Sequence, residues 1–165
     1  MAYCKRKYFI RFKNEKKKLN KVYLQNLVDN LGLSNLLNRY PNNLSGGQQQ
    51  RVSLARAFAL KADLLLMDEP FSALDYQTRL NVSDDIGKII KHESKTAVLV
   101  THDISEAISM ADRVIVLTKR PATVQKTVPI ELEIDQEERT PMGSRNAPNF
   151  KTYFNLIWRE LNHGE

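Results

Sequence analysis

The sequence predicts an α/β fold, a parallel sheet flanked by helices. Three runs carry that prediction. Leu64–Met67 reads LLLM, Thr96–Val100 reads TAVLV and Arg113–Leu117 reads RVIVL. Apolar residues without alternation predict strands buried on both faces, as in a parallel sheet. Helical patterns separate them, so the order is strand, helix, strand, helix, strand.

Each element has a local reason. Leu24, Leu27, Val28 and Leu31 fall on one stripe of an amphipathic helix, which Gly32 stops as a C-terminal cap. SNLLNRYP follows as a short helical turn closed by Pro41. Ser45 stands where a helix N-cap belongs, ahead of apolar Val52, Ala55, Phe58 and Ala59. After the LLLM strand, Asp75 can cap a helix carrying Leu80, Ile86, Ile89 and Ile90. A short helix over 104–110 joins the second strand to the third. KRPA is a turn, and Val124–Val128 can pair back as a hairpin. Residues 131–148 are acidic and then rich in Pro, Gly, Ser and Asn, and read as a linker. Phe150, Tyr153, Phe154, Ile157 and Leu161 stripe a final amphipathic helix within 149–165, a docking face against the rest of the protein.

Composition bounds the function. The 165 residues fit one domain or part of a larger one, and 42% hydrophobic content suits a globular protein. No run approaches the roughly 18 apolar residues of a membrane span, and no apolar core follows the basic N-terminus as a signal peptide requires. The single cysteine, Cys4, fits a reducing compartment. The net charge of +6 is local: residues 1–21 hold nine of the 25 basic and one of the 19 acidic residues, leaving 16 basic against 18 acidic elsewhere. This basic arm is expected to be a disordered, solvated terminus rather than a nucleic-acid or lipid footprint.

Three clusters carry chemistry. In LLLMDEP, Asp68 and Glu69 end a buried strand, where ligands of α/β sheets bind. Asp68 there can hold Mg²⁺, and Glu69 can orient or deprotonate a water. In LSGGQQQR, Ser45 and the amides of Gly46, Gly47 and Gln48 open a helix and form an anion site that glycine lets a phosphate approach. The plain reading is an ordinary capped helix start, with Arg51 and Arg56 as solvated charges. His102 follows the strand expected beside the Asp68 strand, where its imidazole can meet a phosphate or attacking water. His92 and His163 have no such setting, and three scattered His with one Cys give no zinc spacing.

Together these residues resemble the ATPase subunit of an ABC transporter. LSGGQQQR matches the signature motif, LLLMDEP matches Walker B with its catalytic glutamate, SALD at 72–75 matches the D-loop, and THD at 101–103 matches the switch-histidine loop. The match covers roughly residues 22–128. KRPATV, the acidic stretch, RTP and YFNLIWREL look like the nitrate, sulfonate and taurine importers. The resemblance implies a P-loop NTPase-like fold, ATP and Mg²⁺ as cofactors, and a head-to-tail dimer with a second ATPase subunit. Ser45, Gly46, Gly47 and Gln48 would then hold the partner's γ-phosphate, with Asp68 on Mg²⁺, Glu69 as general base, His102 on the γ-phosphate and Asp75 communicating across the dimer. It also implies a transmembrane permease, indirect work with a substrate-binding protein, a place on the inner face of the cell membrane, and no nucleic-acid partner.

The sequence departs from that family in one respect. No G-x-x-x-x-G-K-[ST] occurs among its six glycines, so the amide cradle, phosphate lysine and Mg²⁺ hydroxyl are missing. The adenine-stacking aromatic has no assignment, and Gln25 lies too close to the signature to be the Q-loop glutamine. In the related fold the P-loop strand lies between the strands matching Thr96–Val100 and Arg113–Leu117. The chain is therefore expected to be the C-terminal portion of such a subunit, with an incomplete sheet. Each unpartnered buried backbone group costs about 1–3 kcal/mol against a net stability of about 5–15 kcal/mol, so the chain alone is expected to be unstable or rearranged, and inactive. Two alternatives stand beside this reading. The chain can be a non-enzymatic partner that lends its signature helix to an intact ATPase. More remotely, it resembles chromosome and repair ATPases that share the signature motif.

Overall fold

The computed structural model describes residues 21–60, 62–135 and 139–162. The basic arm falls almost wholly outside these residues, as does His163. Helix α1 (Lys21–Asn30) buries Leu27 and Val28. It ends as the sequence predicts: Gly32 takes φ +61, and the amide of Leu33 donates to the Val28 carbonyl at 2.8 Å. Two 3₁₀ turns follow, Ser34–Leu36 and Pro41–Asn43. Pro41 opens the second turn rather than merely closing the first, because its fixed φ suits a first helical position.

Helix α2 (Gly46–Ala59) starts at Ser45 in a full capping box and buries Val52, Leu54, Ala55, Phe58 and Ala59. Strand β1 (Leu64–Asp68) runs parallel to β2 (Thr96–Val100), with Leu64 opposite Thr96 and Asp68 opposite Val100. Helix α3 (Tyr76–His92) connects them, capped by Asp75. Helix α4 (Ile104–Met110), capped by Asp103, leads to β3 (Arg113–Leu117), which pairs antiparallel with β4 (Val124–Pro129).

Two buried clusters hold these elements. Leu27, Leu31, Phe58, Leu65, Met67, Phe71 and Ile86 form one under α1, α2 and α3. Ile104, Ile108, Val114, Val116, Val128, Ile130 and Ile157 form the other, which helix α6 (Phe150–Asn162) closes. On α6, Phe150, Tyr153 and Phe154 pack against that cluster, whereas Leu161 and Trp158 stay exposed.

Within the stretch read as a linker, residues 131–135 and 139–148 pack more closely than the composition suggests. They include helix α5 (Pro141–Ser144), with Leu132, Pro141, Ser144 and Ala147 buried. The Met142 amide donates to Asp84 on α3 at 3.1 Å. Burial alone would raise the Asp84 carboxyl, but Lys88, that amide and Thr140 hold it below its ordinary range. Gly87 is required here, since a Cβ would come within 2.7 Å of the Pro141 ring.

The strands correct one expectation. They are not buried on both faces. In β1 and β3 alternate residues are buried and exposed, and in β2 alternate residues are exposed and half-buried. Leu66 is 73% exposed, and Leu64, Val98, Val100, Ile115 and Leu117 also lie open. An unbroken apolar run states what a strand can bury on either side, not whether both sides are covered. Among the described residues, helices cover one side only. β2 and β3 also belong to separate two-stranded sheets, so the described residues supply no strand that joins them.

Candidate functional site

Parallel register brings the site together. Because Asp68 lies opposite Val100, the residues just past β1 and β2 are neighbours although 33 positions separate Glu69 from His102. The Glu69 amide donates to the Val100 carbonyl at 2.9 Å. Its carboxylate Oε1 accepts the His102 backbone amide at 3.1 Å and meets His102 Nδ1 at 2.7 Å. The hydrogen bond to Glu69, reinforced by its charge, raises the His102 imidazole above its ordinary value. The ring itself is largely open to solvent, and Glu69 is about one-third exposed.

Glu69 reaches this position through left-handed backbone, at φ +47. That conformation costs a non-glycine residue about 1–2 kcal/mol and persists only where neighbours impose it. Three donors converge on the Glu69 carbonyl: Gln50 Nε2 at 2.7 Å, Ser72 Oγ at 3.0 Å and the Ser72 amide at 3.3 Å. Asp68, at the very end of β1, is exposed. No group of three or more His, Cys, Asp or Glu side chains among the described residues could hold a metal. Asp68 therefore fits Mg²⁺ only in the way that ion is commonly bound, by one carboxylate together with phosphate oxygens and water.

The signature helix lies against the same turn. Ser45 Oγ accepts the Gln48 amide at 3.4 Å, and Gln48 Oε1 accepts the Ser45 amide at 3.0 Å. Gly46 is exposed, and an added Cβ would meet only Ala73 Cβ, at 3.8 Å. Gly47 differs: its Cβ would sit 2.9 Å from Leu74 Cδ2 and 3.1 Å from the Ala73 carbonyl. The sequence reading gave both glycines to a phosphate. The close approach of Ala73 and Leu74 gives Gly47 a sufficient reason within this chain.

Asp75 caps α3 by accepting the Thr78 amide at 3.0 Å, and contacts to Thr78 lower its carboxyl. Arg79 then spans two loops. Its Nη2 donates to the Leu74 carbonyl at 3.2 Å, and its guanidinium lies 3.7 Å from Asp103 and 3.8 Å from Glu106. Glu106 is buried and accepts the Thr101 hydroxyl at 2.8 Å. Burial pushes its carboxyl up. The turns that carry Asp75 and His102 are thus tied through one arginine.

Sequence reasoning gave no individual role to Gln50, Arg79, Thr101 or Glu106, and it misplaced Arg51. Arg51 is not a solvated charge: its Nη1 donates to the Leu31 carbonyl at 3.1 Å and closes the end of α1. Arg56 is exposed as read. Gln25 is also exposed and donates to Asp29 on its own helix. His92 is exposed at the end of α3. A run of three glutamines gives no sign of which one turns inward; a capped helix start packed on a loop was the available signal.

Comparison with known proteins identifies the family. The ABC transporter family profile matches residues 5–72, beginning inside the basic segment. An uncharacterised ABC transporter ATP-binding protein of Bacillus subtilis is 45% identical over 138 residues, 82% of this chain and 52% of that protein. An aliphatic sulfonates import ATP-binding protein of Pseudomonas syringae pv. tomato is 37% identical over 76% of this chain and 54% of its own length. A dimeric ATP-binding cassette in a post-hydrolysis state, bound to ADP and Pi, superposes with a TM-score of 0.63 at 28% identity, covering 78% of this chain and 56% of that one. The chain spans about half the length of the curated relatives it matches.

Proposed function

The chain belongs to the ABC transporter ATP-binding domain family, and from that premise we propose that it supplies the hydrolytic and signature parts of an ATP-binding subunit powering an importer of organic anions such as sulfonates. The observation that carries the reading is the Glu69–His102 pair, joined at 2.7 Å at the end of the strand that also presents Asp68. In this reading Asp68 takes Mg²⁺, Glu69 accepts the proton of the attacking water and His102 contacts the γ-phosphate. ATP with Mg²⁺ supplies the phosphoryl group. The residues' own work is to orient the water, hold its proton and stabilise charge.

Ser45, Gly46, Gly47 and Gln48 then serve a nucleotide bound on a second subunit, as the exposed start of α2 allows. Asp75, exposed at the cap of α3, faces that same dimer. The permease and the organic-anion cargo rest on likeness to the sulfonates import relative. Among the described residues no helix is long and apolar enough to cross a membrane, so attachment to a membrane would run through the permease.

With no phosphate cradle in these 165 residues, the purified chain should show no Mg²⁺-dependent ATP turnover. Mixed with an intact cassette subunit, it should associate when ATP is added, and Ser45→Arg should abolish that association. Association that ignores ATP, or that survives Ser45→Arg, contradicts the reading. Turnover by the pure chain that Glu69→Gln abolishes would show that the cradle is not needed in the form assumed.

A further inference from the structure

We propose that Gln50 is a positioning residue: it links the signature helix to Glu69 of the same chain and sets where the Glu69 carboxylate points. The inference rests on the functional reading above only in giving Glu69 its role. Its geometry stands independently. Gln50 lies on α2, one turn beyond Ser45 and Gly46. Its amide nitrogen donates to the Glu69 carbonyl at 2.7 Å and approaches Ser72 Oγ at 3.4 Å. Its amide oxygen accepts the Ala73 backbone amide at 3.0 Å. One side chain therefore grips both ends of the turn 69–73, using a donor and an acceptor together. Glutamine carries both groups on one planar head, which no carboxylate or ammonium does.

The grip falls on a residue whose backbone has little freedom to spare. Glu69 stands at φ +47, a conformation that its surroundings must impose. Without Gln50 the Glu69 carbonyl keeps only Ser72, so the φ +47 backbone that carries the carboxylate to His102 can relax and the pair separates. The first turn of α2 is also locked to the same loop, because Gly47 leaves no room between the helix and Ala73–Leu74. A shift of α2 caused by an anion at Ser45–Gln48 would thus reach Glu69 through Gln50. That is a direct route, within one chain, from the residues that meet a partner's nucleotide to the residue that acts on this chain's own.

The test reads the ¹⁵N NMR signals of the His102 ring in the full chain at a fixed pH without nucleotide. These signals report whether Nδ1–H is held by a carboxylate. Glu69→Gln defines the released state. Gln50→Met, which removes both bonds at similar volume, should move the His102 signals most of the way to that state and speed exchange of the Ala73 amide at least about tenfold, one decade of lost protection. Gln50→Glu keeps the acceptor for Ala73 but sets a carboxylate oxygen against the Glu69 carbonyl, so it should shift His102 in the same direction. Gln49→Leu breaks bonds from the same helix to the Pro41 and Leu44 carbonyls and should leave His102 unmoved. His102 signals that stay at the wild-type position in Gln50→Met or Gln50→Glu overturn the proposal, as does an equal shift in Gln49→Leu. If Gln50→Met does not fold, Gln50→Glu alone decides. Because no ATP is present, failure of the ATP-binding reading leaves this result standing, and the reverse also holds.

Discussion

On one side of the strands, Leu65 and Met67 share a buried cluster with Phe58, Phe71 and Ile86. On the other, Leu64, Leu66, Val98, Val100, Ile115 and Leu117 lie open to solvent. The side chains are of one chemical kind, yet only the first set is covered. Burying a large aliphatic side chain fully contributes about 1.5–3 kcal/mol, so the open face withholds several such contributions. The Glu69–His102 pair does not depend on that face. Glu69 and His102 are placed by the register of β1 with β2 and by α2 and α3 beneath them. The difference teaches that the Glu69–His102 pair is anchored from the covered side of the strands, while an apolar surface of the kind that marks an interaction site or an aggregation hazard occupies the other.

The largest expected effect breaks the covered side. Phe71→Ala or Ile86→Ala, both at fully buried positions, should cost about 2–5 kcal/mol, a large share of the roughly 5–15 kcal/mol that holds a whole domain. Leu66→Ala should cost under about 0.5 kcal/mol. Urea denaturation or protease resistance compares them directly, and equal losses would erase the distinction between the faces. Leu66→Thr with Ile115→Thr should leave stability unchanged while lowering binding of a hydrophobic dye; undiminished dye binding would place the exposed apolar surface elsewhere.

A smaller contrast lies within α2. Gly47→Ala should destabilise by about 1–3 kcal/mol, since the new Cβ overlaps Leu74 and the Ala73 carbonyl. Gly46→Ala should stay within about 0.5 kcal/mol because only ordinary contact awaits it. A reversed order would mean that α2 does not rest on the 72–75 loop.

The smallest effect is electrostatic. His102 should titrate above its ordinary value, and Glu69→Gln should return it toward that value. Its folded-state value is raised, so the stability it adds is present below the unfolded value and fades as pH rises through the folded one. The exposed ring makes that contribution small. A His102 midpoint indifferent to Glu69→Gln would dissolve the pair.

Much of this arrangement was legible in the residues. The three strands follow from LLLM, TAVLV and RVIVL, and the caps from Ser45 and Asp75, because those side chains satisfy helix-end amides locally. Asp68, Glu69 and His102 stand out as candidates because they follow apolar strands where ligands of parallel sheets bind. What was not legible depends on tertiary contact. Apolarity at Leu66 and Val100 cannot state whether anything covers them. The inward turn of Gln50 and Arg51 is invisible in a run of polar residues. The burial of Pro141 and Ser144 is hidden by a composition that reads as loop.

The most direct test of the central claim is ATP hydrolysis by a cassette in which residues 22–165 replace the matching part of the Bacillus subtilis ABC transporter ATP-binding protein. The account predicts Mg²⁺-dependent turnover that falls at least about a hundredfold in Glu69→Gln, with ATP binding retained. A folded, ATP-binding graft without turnover, or one whose rate survives Glu69→Gln, would contradict it.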